Sequence, residues 1–419
     1  MNAPLRPSLL ALLAAAFTTI STPAWSAPDA RLLAAARAAE PAVIQSLKEM
    51  VAIESGTMDA PGLGRMADYA EARLKALGLQ VERRKASANN GDILVGRLTG
   101  GGKRKLMLIA HLDTIYWPGT INSQPIKQEG NRLYGPGIAD AKGGVAVILH
   151  ALAILRDAGW KDYAELTVLL NGDEESGSGG SGEAIATLSD QHDVVLSYEP
   201  TAAKEFAKTE GVLLSAAGAA PLTMDVKGRA SHAGAAPQLG RNALVELAWQ
   251  VLQTQDIAKG VPGAQLNWTT MQAGKSRNQI PDAATAVADV RLTAAGAGEQ
   301  LVAAMRAKVA ESKRVPDTEV SIALGAGRPP FVGGERTLAL AKRAQAIYAE
   351  LDNRPLQLVP GTGGGTDAGF ANRSGKAAVL ESLGLAGWGY HAKDEYIEID
   401  SIVPRLYLTT RLLSDLGRD

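Results

Sequence analysis

The sequence predicts an α/β protein, a mixed sheet with helices on both faces, into which a second, smaller domain is inserted. Three observations lead there. Strands of buried character alternate with amphipathic helices through the first half of the chain, the pattern of a sheet covered by helices. Near residue 213 the order becomes β-α-β-β-α-β, the split βαβ (ferredoxin-like) unit. The first pattern then resumes to the end of the chain. At 419 residues the chain is also too long for one ordinary core.

The elements follow in order. Residues 1–7 carry one charge, Arg6, and 9–20 are apolar apart from Thr18 and Thr19. Ala24-Trp25-Ser26 then places small residues two apart, which predicts a secretory signal peptide over 1–26. A buried N-terminal helix is the alternative. The expected mature protein is periplasmic or secreted. It has no membrane segment, because no later apolar run looks long enough to span. The chain has no cysteine, so export brings no disulfide framework.

Residues 29–50 and 62–77 read as amphipathic helices. "KLMLIAHLD" (105–113) is a buried strand, 140–159 a helix opened by glycines, and "ELTVLLNGDEE" (165–175) and "DVVLSYEP" (193–200) are further strands. In the inserted unit, strands fall on 221–232, 265–274, 283–294 and 318–325, with helices on 240–256 and 298–313. The α/β pattern returns with a helix at 335–352, a strand at 377–384 and a terminal helix at 400–416. The expected division is 27–213 and 327–419 for the larger, catalytic domain and 214–326 for the lid.

In open α/β sheets ligands bind beyond the carboxyl ends of the strands. The residues there are His111 and Asp113, then Asp173, Glu174 and Glu175, then Glu199. Asp140 starts a helix after a Gly-rich turn, and "GWGYHAKDE" supplies His391. Two histidines and several carboxylates without cysteine suit zinc or a similar divalent ion in N/O coordination. The donors suffice for two ions sharing a carboxylate. Taken singly, each residue has a plainer reading. His111 could be a core histidine, the acidic triplet a solvated turn, and Glu199 a hydrated strand end. His150 reads as structural and His192 as solvated. Net charge is −1 without a basic block, which argues against nucleic acid.

"AHLDT", "GIADAKGG", "NGDEESGS", "SYEP", "GRASHAG" and "GTGGGTDA", in this order, resemble the dizinc exopeptidases of the aminoacylase and carboxypeptidase superfamily. "GLAGWGYHAKDEYIEI" is most similar to the secreted glutamate carboxypeptidases of the folate-cleaving, carboxypeptidase G type. The resemblance implies two Zn2+ ions per subunit, with Co2+ or Mn2+ able to substitute. His111 and Glu199 would bind one ion, Glu175 and His391 the other, and Asp140 both. Asp113 would orient His111, and Glu174 would be the general base. The bond Asp140–Ala141 would be cis. His232 would reach a partner's active site across a homodimer formed through the lid. Asn278, Arg291, Arg328, Gly364 and Gly365 would hold the substrate carboxylate. Read without the family, Arg291 is an outward strand residue and Arg328 a linker charge.

The implied activity is hydrolysis, by metal-activated water, of the amide to a C-terminal amino acid. That residue is expected to be glutamate or another acid, on a peptide, N-acyl conjugate or folate-like substrate. Gly211 and Leu213 stand where the folate-cleaving relatives have a Lys and a Ser that grip glutamate, with Lys204 and Lys208 nearby as substitutes. An N-acyl-amino-acid deacylase, a dipeptidase or an exo-hydrolase of acidic poly-amino acids is the alternative. A binding protein that kept the fold without catalysis is a third. No role follows for Asp173.

Overall fold

The computed structural model describes residues 27–85 and 90–418, so the expected signal peptide over 1–26 lies outside the described residues. The central sheet has six strands in the order Gln80–Arg84, Gly91–Thr99, Glu165–Gly172, Lys105–His111, Val194–Ser197 and Ala378–Leu380. The last four run parallel to one another and the first two are antiparallel, so the sheet is mixed as expected. His111 pairs with Asn171, and Ile109 with Ser197, so the carboxyl ends of these strands stand level.

Alternation decides which face each strand residue buries. Leu106 and Leu108 join one core with Leu47, Val145, Ile148 and Leu406. Met107 and Ile109 join the opposite core with Ile185, Phe331 and Val379. Helices Ala30–Ala52, Gly144–Asp157 and Ile402–Arg418 pack together on the first face. Asp29 caps the first of these, its Oδ1 accepting from the amides of Arg31 and Leu32 at 3.0 Å each.

Two expectations are corrected. The helix expected from 140 begins at Gly144. Before it lies an irregular turn over Ile138–Gly143 in which Asp140 and Ala141 are not helical and the Asp140–Ala141 bond is cis, as the resemblance implied. The expectation that no later apolar run could span a membrane also fails by composition. Ile138–Asp157 is long and apolar enough, with a mean hydropathy of 1.7, but 89% of that window is buried among the other helices. It is apolar all round because it is the central helix of the fold.

The inserted unit has the expected split βαβ order. Its sheet runs Ala264–Ala273, Ala283–Leu292, Gly218–Lys227, Glu319–Leu324, antiparallel throughout. Helices Ala243–Thr254 and Ala297–Glu311 cover one face through Leu222, Met224, Val226, Leu247, Leu301 and Met305. The strand expected to run through 232 stops at Lys227, and Ser231–His232 instead pairs with Gln279–Ile280 as a separate ribbon.

A further five-stranded sheet was not expected. Lys127–Glu129, Arg132–Tyr134, Tyr396–Glu398, Ala386–Trp388 and Thr201–Ala202 form five short strands. It holds the loop with His391 against the turn with Asp140. Strands of two or three residues carry too little periodicity to be read from sequence.

The terminal helix is tied down by charge as well as by packing. Arg405, fully buried, meets Glu210 Oε2 at 2.9 Å and donates to the carbonyls of Ser382 and Gly211 at 3.1 and 3.0 Å. Burial alone would raise the Glu210 carboxyl, but Arg405 and Arg354 outweigh it and hold its pKa below the ordinary value. Removing one partner of such a pair costs about 3–5 kcal/mol. Arg405→Leu should therefore lower the unfolding free energy by about that amount in a denaturant titration. The contribution of Glu210 is present above the unfolded-state pKa of about 4.3 and is lost as pH falls through the lowered folded value.

Candidate metal centre

The carboxyl ends of the parallel strands bring the expected ligands together in two groups. His111, Asp140 and Glu199 form one, and Asp140, Glu175 and His391 the other, with ligand atoms within 4.8 Å of one another in each. His111 Nε2 lies 3.1 Å from Asp140 Oδ1 and 3.6 Å from Glu199 Oε2. His391 Nε2 lies 3.1 Å from Glu175 Oε2 and 3.6 Å from Asp140 Oδ2. Asp140 thus turns one oxygen to each imidazole.

Asp113 organises this cluster from beneath. It is fully buried, and its oxygens accept the amides of Glu174 and Glu175 at 3.1 and 3.0 Å and the Thr57 hydroxyl at 2.8 Å. His111 Nδ1 lies 3.0 Å from the Asp113 carbonyl and 3.3 Å from its carboxylate. Both neighbours are acceptors, so the ring proton belongs on Nδ1 and Nε2 is left free as a ligand. Main chain and side chain of Asp113 thus both face the same ring nitrogen.

Asp173 gains the role that sequence could not assign. Its carboxylate accepts from Ser181 Oγ at 2.5 Å and from the amides of Gly180 and Ser181 at 2.6 and 3.2 Å. It folds the glycine-rich loop back under Glu174 and Glu175. Adjacent strand-end side chains diverge, so the three acids of one triplet meet three different partners: Arg328, His391 and Ser181.

The electrostatics fit a cation. Burial, with His111 opposing it, raises Glu199 to about 8. Burial likewise raises Glu174, Glu175, Asp367 and Glu381. Burial disfavours charge on His111, yet Glu199, Asp113 and Asp140 outweigh it and lift its pKa well above the ordinary value. Hydrogen bonds to Asp140 and Glu175 lift His391 to about 10. So many buried like charges are costly unless positive charge lies among them. The N/O donor set suits divalent ions, which take the place of those protons.

The open face of the lid sheet forms the opposite wall of a cleft of ≈ 1240 Å³. Ala219 and Pro221 from one strand and Val287, Asp289 and Arg291 from the next line it, together with Arg328, Gly364, Gly365 and Tyr390. Arg328 is already engaged: its guanidinium lies 2.6 Å from Glu174 Oε1 and also donates to the Glu174 carbonyl. Arg291 pairs with Asp289 at 2.9 Å. His232 and Asn278 do not line the cleft. They neighbour each other on the lid ribbon, where the Ala233 amide donates to the Asn278 carbonyl at 2.9 Å and His232 Nδ1 accepts from the Gly234 and Ala235 amides.

Gly211, Leu213, Lys204 and Lys208 do not line the cleft either. Gly211 and Leu213 sit in a short strand beside Gln357–Val359, and Lys204 pairs with Asp400. His150 is buried against Ser46 Oγ at 2.9 Å. His192, expected to be solvated, is buried, with Nε2 2.9 Å from Thr167 Oγ1 and Nδ1 2.7 Å from the Leu188 carbonyl. Its polar sequence neighbours concealed that.

Sequence reading missed three buried acids beside the ligands. Glu381 Oε1 accepts the Glu199 amide at 3.3 Å, and Asp367 accepts from Asn171 at 2.8 Å and from the Ser178 hydroxyl. Glu395 contacts the turn of Asp140. Asp367 stands in "GTGGGTDA" and Glu395 in "HAKDE", so the motifs were visible and the contacts were not.

Comparison with known proteins agrees with this geometry. Residues 107–415 match the model of Peptidase family M20/M25/M40. The chain is 44% identical to Carboxypeptidase G2 of Pseudomonas sp. (strain RS-16) over 416 residues, 98% of each chain. It is 29% identical to Acetylornithine deacetylase of Myxococcus xanthus over 269 residues, 60% of this chain and 67% of that protein. Among solved structures, an M20 family metallo-carboxypeptidase from Sulfolobus solfataricus superposes with a TM-score of 0.67 at 16% identity, covering 89% of this chain and 98% of that one. Aminopeptidase PepT from Bacillus cereus superposes with a TM-score of 0.69 at 19% identity, covering 90% and 98%.

Replacing Asp113 with alanine keeps the main-chain partner of His111 but removes its carboxylate partner and the acceptor of two amides at once. Loss of such an outer contact typically costs about 10–100-fold in metal affinity. Competition with a chromophoric chelator should show a loss of that size for Asp113→Ala.

Proposed function

The chain belongs to peptidase family M20/M25/M40 and is a metal-dependent hydrolase; from that premise we propose that it is an exported dizinc carboxypeptidase. It would release a C-terminal amino acid, glutamate or another acidic residue, from peptides, N-acyl conjugates or folate-like molecules. The observation that carries the reading is Asp140, shared by two convergent ligand groups with Glu174 beside them. Two divalent ions held there would supply Lewis acidity toward both a water molecule and the amide carbonyl.

The chain's own residues supply the rest. Glu174 takes a proton from the water and later gives it to the leaving amine. Its burial keeps the proton on the carboxyl to higher pH than usual, which suits the second task. Arg328 receives the terminal carboxylate, whose two oxygens match the guanidinium fork. Glu174→Gln should lower kcat by about 10²–10⁴-fold while two ions still bind. Full activity in that variant would exclude Glu174 as the proton carrier.

A second reading is an N-acyl-amino-acid deacylase or dipeptidase with another side-chain preference. It is favoured by the cleft arginines, each of which already faces a carboxylate: Arg291 meets Asp289, Arg328 meets Glu174 and Arg373 meets Glu183. Relative kcat/KM values for N-acyl Glu, Asp, Leu and Phe decide between the two readings.

The functional unit we propose is a homodimer through the lid. Leu244, Val245, Trp249 and Leu252 are exposed on the Ala243–Thr254 helix, and His232 is remote from its own cleft. In the dimer His232 would serve the partner's site by stabilising the developing oxyanion. Co-expressed Glu174→Ala and His232→Ala chains should then regain activity that neither has alone. One heterodimer site would combine an intact Glu174 with an intact His232 from the other chain. No complementation means that His232 does not act across an interface.

A further inference from the structure

Glu395 takes no part in the steps above, yet its side chain is only 2% exposed. Its Oε2 accepts the Gly137 amide at 2.9 Å, and its Oε1 accepts the amides of Ala139 and Asp140 at 2.8 and 3.0 Å. Its own carbonyl accepts the Gly135 amide at 3.1 Å. One residue thus meets four amides of the turn that delivers Asp140.

That turn needs such a partner. Gly137 has φ 70°, and Asp140 and Ala141 depart from helical geometry. Buried amides that lack a partner are costly, and amides that converge in a turn form a cradle for an anion. A carboxylate with two oxygens fills this cradle, where a neutral amide would set its NH₂ group against one of the N–H donors.

The other end of the contact lies on the second ligand segment. Glu395 follows His391 by four residues and closes a tight loop in which Gly389 and His391 have φ 77° and 62°. The Tyr116 hydroxyl joins this contact, donating to the Ala392 carbonyl at 2.7 Å and facing the Glu395 carboxylate, whereas the Tyr390 hydroxyl holds the same loop from within, donating to the Gly387 carbonyl at 3.0 Å.

We infer that Glu395 is a positioning residue: it clamps the turn bearing Asp140 to the loop bearing His391 and so sets the geometry of both ligand groups together. The consequence is specific. Asp140 belongs to both groups, so loosening its turn disturbs both, whereas loosening the His391 loop alone disturbs one. The inference rests on the two-metal reading of the site.

The test is a metal titration of the metal-free protein, followed by calorimetry with Zn2+ and by the absorption spectrum of bound Co2+. Wild-type protein should take up two ions; fewer than two would sink the two-metal reading itself. In Glu395→Gln both binding steps should weaken together, by about tenfold or more, with altered Co2+ bands. Tyr390→Phe, which removes only the bond within the His391 loop, is the comparison and should leave one step at its wild-type affinity. Wild-type affinity at both steps in Glu395→Gln, or a shift confined to one, overturns the clamp. Should Glu395→Gln fail to fold, Glu395→Asp keeps two acceptor oxygens on a shorter stem and is judged by the same two outcomes.

Discussion

The cost of gathering carboxylates in a buried place governs this molecule. Glu174, Glu175, Glu199, Asp140, Asp367, Glu381 and Glu395 crowd the ends of four parallel strands with two imidazoles and one guanidinium among them. Every raised carboxyl there owes its shift first to burial. Such a cluster persists only where its oxygens are hydrogen-bonded and positive charge is supplied. The architecture answers both needs: it aims backbone amides at Asp113, Asp173 and Glu395, and it points five donor side chains at common centres.

The supporting acids divide the labour by where their amides come from. Asp113 receives the amides of the strand end that carries Glu174 and Glu175, Asp173 receives those of the loop behind it, and Glu395 receives those of the Asp140 turn. None of these three acids belongs to the converging ligand groups. Each converts a flexible, glycine-rich connection into a fixed one, which places function on loops held by a rigid scaffold.

The lid contributes the wall of the cleft, and the ribbon carrying His232 lies elsewhere on it. Alternation explains how one sheet does two things: Leu222 and Met224 bury toward the lid helices while Ala219 and Pro221 turn toward the ligands. Arg328 stands at the junction of the two units: just past the last lid strand, its backbone pairs with Ala219 of the lid while its side chain reaches Glu174. The group expected to recognise substrate thus touches the group expected to move protons.

The sequence by itself determined the strand–helix alternation, the inserted β-α-β-β-α-β order and which residues make up the two candidate ligand groups. Those follow from periodicity and from which residues stand at strand ends, both local properties. Only the tertiary structure decided what the ligands lean on. That Glu395 grips the Asp140 turn, that Asp173 ties down its own loop and that His192 is buried are contacts between segments up to 258 residues apart or hidden by polar neighbours. The contacts of Glu395 leave no periodic trace in a sequence, because their donors are backbone amides that every residue type except proline carries.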